Sequence, residues 1–123
     1  MSDPKATVLV IDDEAGVRSV LRRFLVAEGY AVVEAPDGRA ALEFVHKGPI
    51  PDVIIVDLMM PVMTGFEVLS TLRVNAAWAE IPVIVLTATD GYSADHLRVA
   101  ASLVKPFDLR DVKAAVEVAL KPR

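Results

Sequence analysis

Short runs of apolar, mostly β-branched residues recur along the chain, each followed by a longer stretch in which apolar positions return every three or four residues. The first run is TVLVI, residues 7 to 11; behind it Val17, Val20, Leu21, Phe24 and Leu25 share one face of a helix that Gly29 is placed to end. AVVEA, residues 31 to 35, is the second, and its helix carries Ala41, Leu42 and Val45 on one side before Gly48-Pro49 stops it. Val53 to Asp57 forms the third, followed by a helix from about Gly65 to Val74 with Phe66, Leu69 and Leu72 inward. VIVLT, ending at Thr87, is the fourth. The polar segment SADHLRVA then predicts a short helix, and SLV leads to Lys105-Pro106-Phe107 as a fifth strand end. A last helix starts at Asp108 and buries Val112, Val116, Ala119 and Leu120.

Strand and helix alternating in this way predict βα units that feed a parallel sheet. A run as continuous as VIIV, residues 53 to 56, fits a strand with helices on both of its faces. The expected architecture is a three-layer, doubly wound α/β domain, with the whole of residues 1–123 as one domain. Ligands of such sheets collect outside the carboxyl ends of the strands, where strand order reverses.

Composition narrows the setting. A chain of 123 residues can bury a real core, and although 54% of it is hydrophobic, no apolar run approaches the length of a membrane span. The opening MSDPKATVLVIDDE lacks the basic start and long apolar middle of a secretion signal, so a cytoplasmic location is expected. The absence of cysteine removes disulfides, thiolate metal sites and cysteine nucleophiles. A net charge of -4 without a basic run argues against direct nucleic-acid contact.

The strand ends carry the candidate chemistry: Asp12-Asp13-Glu14 after the first, Asp57 at the third, Thr87-Ala88 at the fourth and Lys105-Pro106 at the fifth. If those strands are neighbours, the groups converge. Crowded carboxylates drift toward their neutral forms unless a cation sits among them. An all-oxygen cluster with room for water suits Mg²⁺. Asp57 can then stay ionised and act as a nucleophile toward phosphorus, while Lys105, the Thr87 hydroxyl and the Ala88 N–H steady the transferring oxygens.

At these residues the chain resembles receiver domains of the two-component response-regulator family. DDE at 12 to 14, DLMMPVMTG at 57 to 65, TA at 87 and 88 and KPF at 105 to 107 carry the resemblance, which covers nearly the whole chain. It implies a flavodoxin-like sheet of order 2-1-3-4-5. It also implies Mg²⁺-dependent transfer of a phosphoryl group to Asp57 from a phosphohistidine on a sensor histidine kinase or histidine phosphotransfer protein, and a conformational switch that controls a downstream protein partner. Asp13 would bind Mg²⁺ directly, Asp12 would help through water, and the Met59 carbonyl would complete the protein ligands. Thr87 and Lys105 would contact the phosphoryl group, Lys105-Pro106 would be cis, and Met60, Pro61 and Gly65 would shape the loop behind Asp57. Met59 and Thr89 would tune the lifetime of the acyl phosphate. Such a domain promotes its own phosphotransfer and hydrolysis and turns over no external substrate.

Two departures stand out. Residues 88 to 104 separate Thr87 from Lys105, about four residues, or one helical turn, fewer than the family's usual interval. The fourth helix is therefore expected to be short or displaced. Ser102 stands where the family usually carries an aromatic ring that swings inward, and Tyr92 is a candidate to replace it. Together they motivate an alternative, a receiver-like scaffold whose output does not follow phosphorylation. A hydrolase using an aspartyl phosphate ranks lower, because Leu58 and Met59 follow Asp57 where a general acid is needed and no insertion is long enough for a lid.

Blander readings stand beside these. Asp12 and Asp13 could cap the first helix, Thr87 could be an ordinary strand residue, and Lys105 a solvated one. His46 and His96 have no partner at ligand spacing. Met59, Met60 and Met63 are expected to pack, Trp78 to lie partly covered in a connection, and Arg18, Arg22 and Arg23 to form solvated helix surface or a docking rim.

Overall fold

Residues 3–88 and 99–121 are described by the computed structural model. The apolar runs become five parallel strands, β1 (Thr7–Ile11), β2 (Ala31–Ala35), β3 (Val53–Asp57), β4 (Val83–Thr87) and β5 (Ala101–Val104), in the order β2-β1-β3-β4-β5. Among the described residues four helices accompany them: α1 (Ala15–Ala27), α2 (Gly38–Lys47), α3 (Gly65–Arg73) and α4 (Leu109–Ala119). Strand limits and order agree with expectation; α3 stops one residue early because Val74 is its C-cap. Of the helix expected over SADHLRVA, residues 93–98, His96 among them, lie outside the described residues, as do Thr89 and Tyr92, whereas Val99 and Ala100 are not helical and lead into β5.

Side chains alternate across a strand, so each central strand feeds two cores. Leu9, Ile11, Ile54, Val56, Val83 and Val85 join Ala41 of α2 and Val68, Leu69 and Leu72 of α3 on one side of the sheet. Val8, Val10, Val53, Ile55, Ile84 and Leu86 join Leu21 and Leu25 of α1 and Val112 and Val116 of α4 on the other. Both sides being buried explains why the central runs are continuously apolar.

Local signals set the helix ends. α1 closes through Gly29, whose φ of 98° is left-handed, with the Gly29 N–H on the Val26 carbonyl at 3.0 Å and the Tyr30 N–H on the Leu25 carbonyl at 3.0 Å. This is the Schellman arrangement. Gly29→Ala is expected to cost about 1–2 kcal/mol, the penalty of a side chain in that region, readable as a lowered denaturation midpoint. Asp37 caps α2 and Asp108 caps α4, each accepting a backbone N–H, and Thr64 with Glu67 forms a reciprocal capping box at α3.

Away from the strand ends, the expectations for Trp78 and Val20 fail. Trp78 is only 1% exposed and belongs to the α2–α3 side of the core. The chain between α3 and β4 folds through local turns, Trp78 N–H to Asn75 carbonyl at 3.0 Å and Ile81 N–H to Trp78 carbonyl at 3.2 Å, which turn the indole inward. Val20, counted on the buried face of α1, is half exposed. It opens onto a shallow groove lined by Glu14, Val17, Lys105, Pro106 and Phe107.

Candidate functional site

Parallel strands bring their carboxyl ends to one edge. Ile11 pairs with Val56, so Asp12 and Asp57, the next residue of each chain segment, stand side by side. Asp57 pairs in turn with Leu86, and Thr87 with Val104. Lys105 follows directly, its N–H donating to the Thr87 carbonyl at 2.7 Å. Four stretches distant in sequence thus meet because the register leaves them no alternative.

Asp12 is fully buried, Asp57 is 4% exposed and Asp13 is open to solvent. One carboxylate oxygen from each lies within 4.8 Å of the other two. Lys105 Nζ donates to Asp57 Oδ2 at 3.0 Å, Asp12 Oδ2 at 3.1 Å and Glu14 Oε1 at 3.4 Å. The second oxygens also have donors: Met59 N–H reaches Asp57 Oδ1 at 2.9 Å and Glu14 N–H reaches Asp12 Oδ1 at 2.9 Å. Glu14, not either aspartate, is the N-cap of α1. The Asp12 carboxylate therefore spends one oxygen on the entry to the helix and turns the other into the pocket.

Burial pushes the Asp12 carboxyl above its ordinary range; the Glu14 N–H and Lys105 oppose this without cancelling it, and the Asp57 charge adds to it. Burial alone would lower Lys105, but its hydrogen bonds to Asp57 and Asp12 prevail and hold the ammonium well above the usual lysine value. Among the described residues the pocket is thus an acidic cluster short of positive charge, with one fixed cation, Lys105, at its side. Its donors are all oxygen, two of the three acids are withdrawn from bulk water, and Asp13 leaves the mouth accessible. That set suits a hard divalent cation that keeps several waters.

The remaining predicted residues are placed as follows. Thr87 is buried at the end of β4, and Ala88 is exposed just beyond it. The Lys105-Pro106 bond is cis. Gly65 opens α3 with its N–H on the Leu58 carbonyl at 3.0 Å, directly behind Asp57. Met60 is buried and Met63 packs against the core. Met59 does not pack: its N–H turns toward Asp57, and the residue is 58% exposed. Between them Val62 takes φ 68° while the Met63 N–H bonds the Pro61 carbonyl at 2.8 Å, a γ-turn of the strained kind for a β-branched residue. Ser102 lies within β5 opposite Val85 and is half-buried, away from the acidic edge.

Arg18 was missed. Expected on solvated surface, its side chain is mostly covered, and Nη1 donates to the Asp12 carbonyl at 2.7 Å while Nε pairs with Glu34 Oε1 at 3.3 Å. The signal available was Glu34 itself, a lone charge inside the apolar run AVVEA that requires a partner.

The fold and this site together define a class: doubly wound α/β domains with an acidic pocket at the point between β1 and β3 where strand order reverses. The profile of the response regulator receiver domain matches residues 8–117, and the chain belongs to that family. It is 36% identical over 123 residues to "Probable transcriptional regulator ycf27" of Guillardia theta, covering 97% of this chain and 47% of that protein. With "Response regulator MprA" of Mycolicibacterium vanbaalenii it shares 38% identity over 118 residues, covering 93% of this chain and 50% of the relative. The chain therefore spans about half the length of these curated relatives. Among solved structures, the chemotaxis response regulator CheY4 of Vibrio cholerae superposes with a TM-score of 0.84 at 34% identity, covering 94% of this chain and 98% of that one.

Proposed function

We propose that Asp57 is the phosphoryl acceptor of this receiver domain. The observation that carries the reading is the junction at Asp57: a nearly buried carboxylate, clustered with Asp12 and Asp13 and held by Lys105 at 3.0 Å, at the carboxyl edge of the sheet. A carboxylate oxygen of Asp57 attacks the phosphorus of a phosphohistidine on a sensor histidine kinase or histidine phosphotransfer protein. The P–N bond breaks with its electron pair going to the ring nitrogen, the imidazole, already protonated on its other nitrogen, leaves neutral, and Asp57 becomes a mixed anhydride. Bound Mg²⁺ would supply positive charge to the phosphoryl oxygens, and Asp12, Asp13, Asp57 and the Met59 carbonyl would hold it.

Lys105 is already anchored where charge develops and can follow it from the carboxylate to the phosphoryl group. The Thr87 hydroxyl and Ala88 N–H lie along the same edge and receive the remaining oxygens. Phosphorylation then shifts the domain between states that a downstream protein distinguishes. With Ser102 in place of an aromatic ring, that shift proceeds without an inward ring movement at this position. The domain acts only on itself, in the cytoplasm, and its net charge of -4 offers no broad basic face for nucleic acid.

Incubation with acetyl phosphate, read by intact mass, tests the reading. Wild type with Mg²⁺ is expected to gain one phosphoryl group, and Asp57→Asn or chelated wild type to gain none. No gain in folded wild type with Mg²⁺, or an equal gain in Asp57→Asn, overturns it.

A further inference from the structure

We infer that Arg18 is a positioning residue for the acidic pocket, acting through the main chain of Asp12. The inference rests on the reading of Asp12 and Asp13 as Mg²⁺ holders. Asp12 is the first residue beyond β1, where the strand ladder no longer holds the backbone on both sides. Its N–H donates to the Ala35 carbonyl of β2 at 3.2 Å, and its own carbonyl accepts Arg18 Nη1 at 2.7 Å. The carbonyl of Asp12 and the N–H of Asp13 belong to one rigid peptide plane. Fixing that plane sets the direction in which both side chains leave the chain, the buried carboxylate of Asp12 and the exposed one of Asp13.

Arg18 is itself held. Its Nε bonds Glu34 Oε1 at 3.3 Å, and the other oxygen of Glu34 accepts Arg22 Nη1 at 3.0 Å. Glu34 pairs in register with Val10, two residues before Asp12, so the brace ties α1 to the carboxyl-terminal part of β2. The side chains of Arg18 and Glu34 are 18% and 26% exposed, well screened from solvent for charged groups. A planar guanidinium serves the carbonyl and the carboxylate from a rigid fork of fixed spacing, whereas the single nitrogen of an ammonium offers no such spread. Arg18 reaches the peptide and not the carboxylates, so it orients the pocket without occupying the space a cation needs.

The test is calorimetric titration of Mg²⁺ into unphosphorylated wild type, Arg18→Ala, Arg18→Lys and Glu34→Gln, with the acetyl phosphate reaction followed across Mg²⁺ concentrations. Arg18→Ala is expected to weaken Mg²⁺ binding by about tenfold, the usual effect of removing an outer support of a metal ligand. The half-saturating Mg²⁺ concentration should rise in step while the plateau rate stays within about twofold, a split that general destabilisation would not produce. Arg18→Lys, which keeps one donor for the carbonyl and gives up Glu34, and Glu34→Gln should each lose about two- to threefold. Wild-type affinity in folded Arg18→Ala overturns the inference alone. If Arg18→Ala does not fold, wild-type affinity in both other variants overturns it. Failure of wild type to bind Mg²⁺ overturns the pocket reading and this inference with it.

Discussion

Without divalent metal at neutral pH, Lys105→Met lowers the stability of the domain by about 3 kcal/mol, or roughly 10 °C in Tm for a chain of this length. Methionine replaces the stem in volume, so little apolar contact is lost. What is lost is the cation between Asp12 and Asp57, which are 0% and 4% exposed and share it at 3.1 and 3.0 Å. Removing one partner from a buried ionic set costs far more than the set contributes over an apolar equivalent, because uncompensated charge stays behind. Lys105 is held above its ordinary value, so its contribution is complete at any pH below the ordinary lysine range and would be lost only as pH rises through the raised value.

The variant behaves oppositely toward acid. Asp12 is already raised by burial with Lys105 present and rises further without it. Its ionised form therefore opposes folding, and protonation relieves the opposition. The deficit against wild type is greatest near neutrality and shrinks as pH falls through the folded value. Millimolar Mg²⁺ should shrink it too, by restoring positive charge among the same oxygens. Phosphorylation by acetyl phosphate should slow on the order of a hundredfold, as when one donor to a developing anion is removed. Thermal melts with and without chelator across pH decide the matter: a deficit insensitive to both acid and Mg²⁺ would reduce Lys105 to a packing residue.

The pattern of apolar and polar positions was enough to place the strands because two-sided burial leaves a run of Val and Ile no other use. It also placed the site, since an acid or a lysine at the end of such a run is costly unless a neighbour answers it, and in a parallel sheet the neighbours are other strand ends. Asp12, Asp57, Thr87 and Lys105 were all legible in this way. What escaped depends on direction, not residue type. Trp78 sits among small and polar residues in a connection, and only the turns around Asn75 and Ile81 show that its ring points inward. Met59 looks like its apolar neighbours, yet the demand of the Asp57 carboxylate for its N–H sends its side chain outward. Val20 follows the helical period, but among the described residues no element covers that part of α1. Arg18 reads as surface until the carbonyl of Asp12 arrives beneath it from another layer of the register.

Gly65→Ala is expected to damage the pocket from behind. A Cβ at Gly65 would lie 2.4 Å from the Asp57 carbonyl oxygen, 2.7 Å from Leu58 Cα and 3.0 Å from the Asp57 carbonyl carbon. All three are backbone atoms, so no rotamer change can give way; either α3 retreats from β3 or the end of β3 is displaced. Overpacking of this kind costs about 1–3 kcal/mol and more where the obstacle is rigid, against a gain of about 0.5–1 kcal/mol for alanine over glycine in a helix. The net expectation is a loss of about 2 kcal/mol. Gly16 of α1 provides the control, since among the described residues a Cβ there meets nothing within 4 Å; Gly16→Ala should be neutral or stabilise by up to about 1 kcal/mol. The chemical consequence exceeds the thermodynamic one. Asp57 owes its position to the segment that the clash would push, and a displacement of about 1 Å in a reacting group can cost about a hundredfold in rate. Gly65→Ala should therefore remain folded, melt at lower temperature than Gly16→Ala, and accept a phosphoryl group from acetyl phosphate about a hundredfold more slowly at saturating Mg²⁺. Equal rates in the two alanine variants would mean that the loop yields without moving Asp57, and that the close approach of Gly65 serves packing alone.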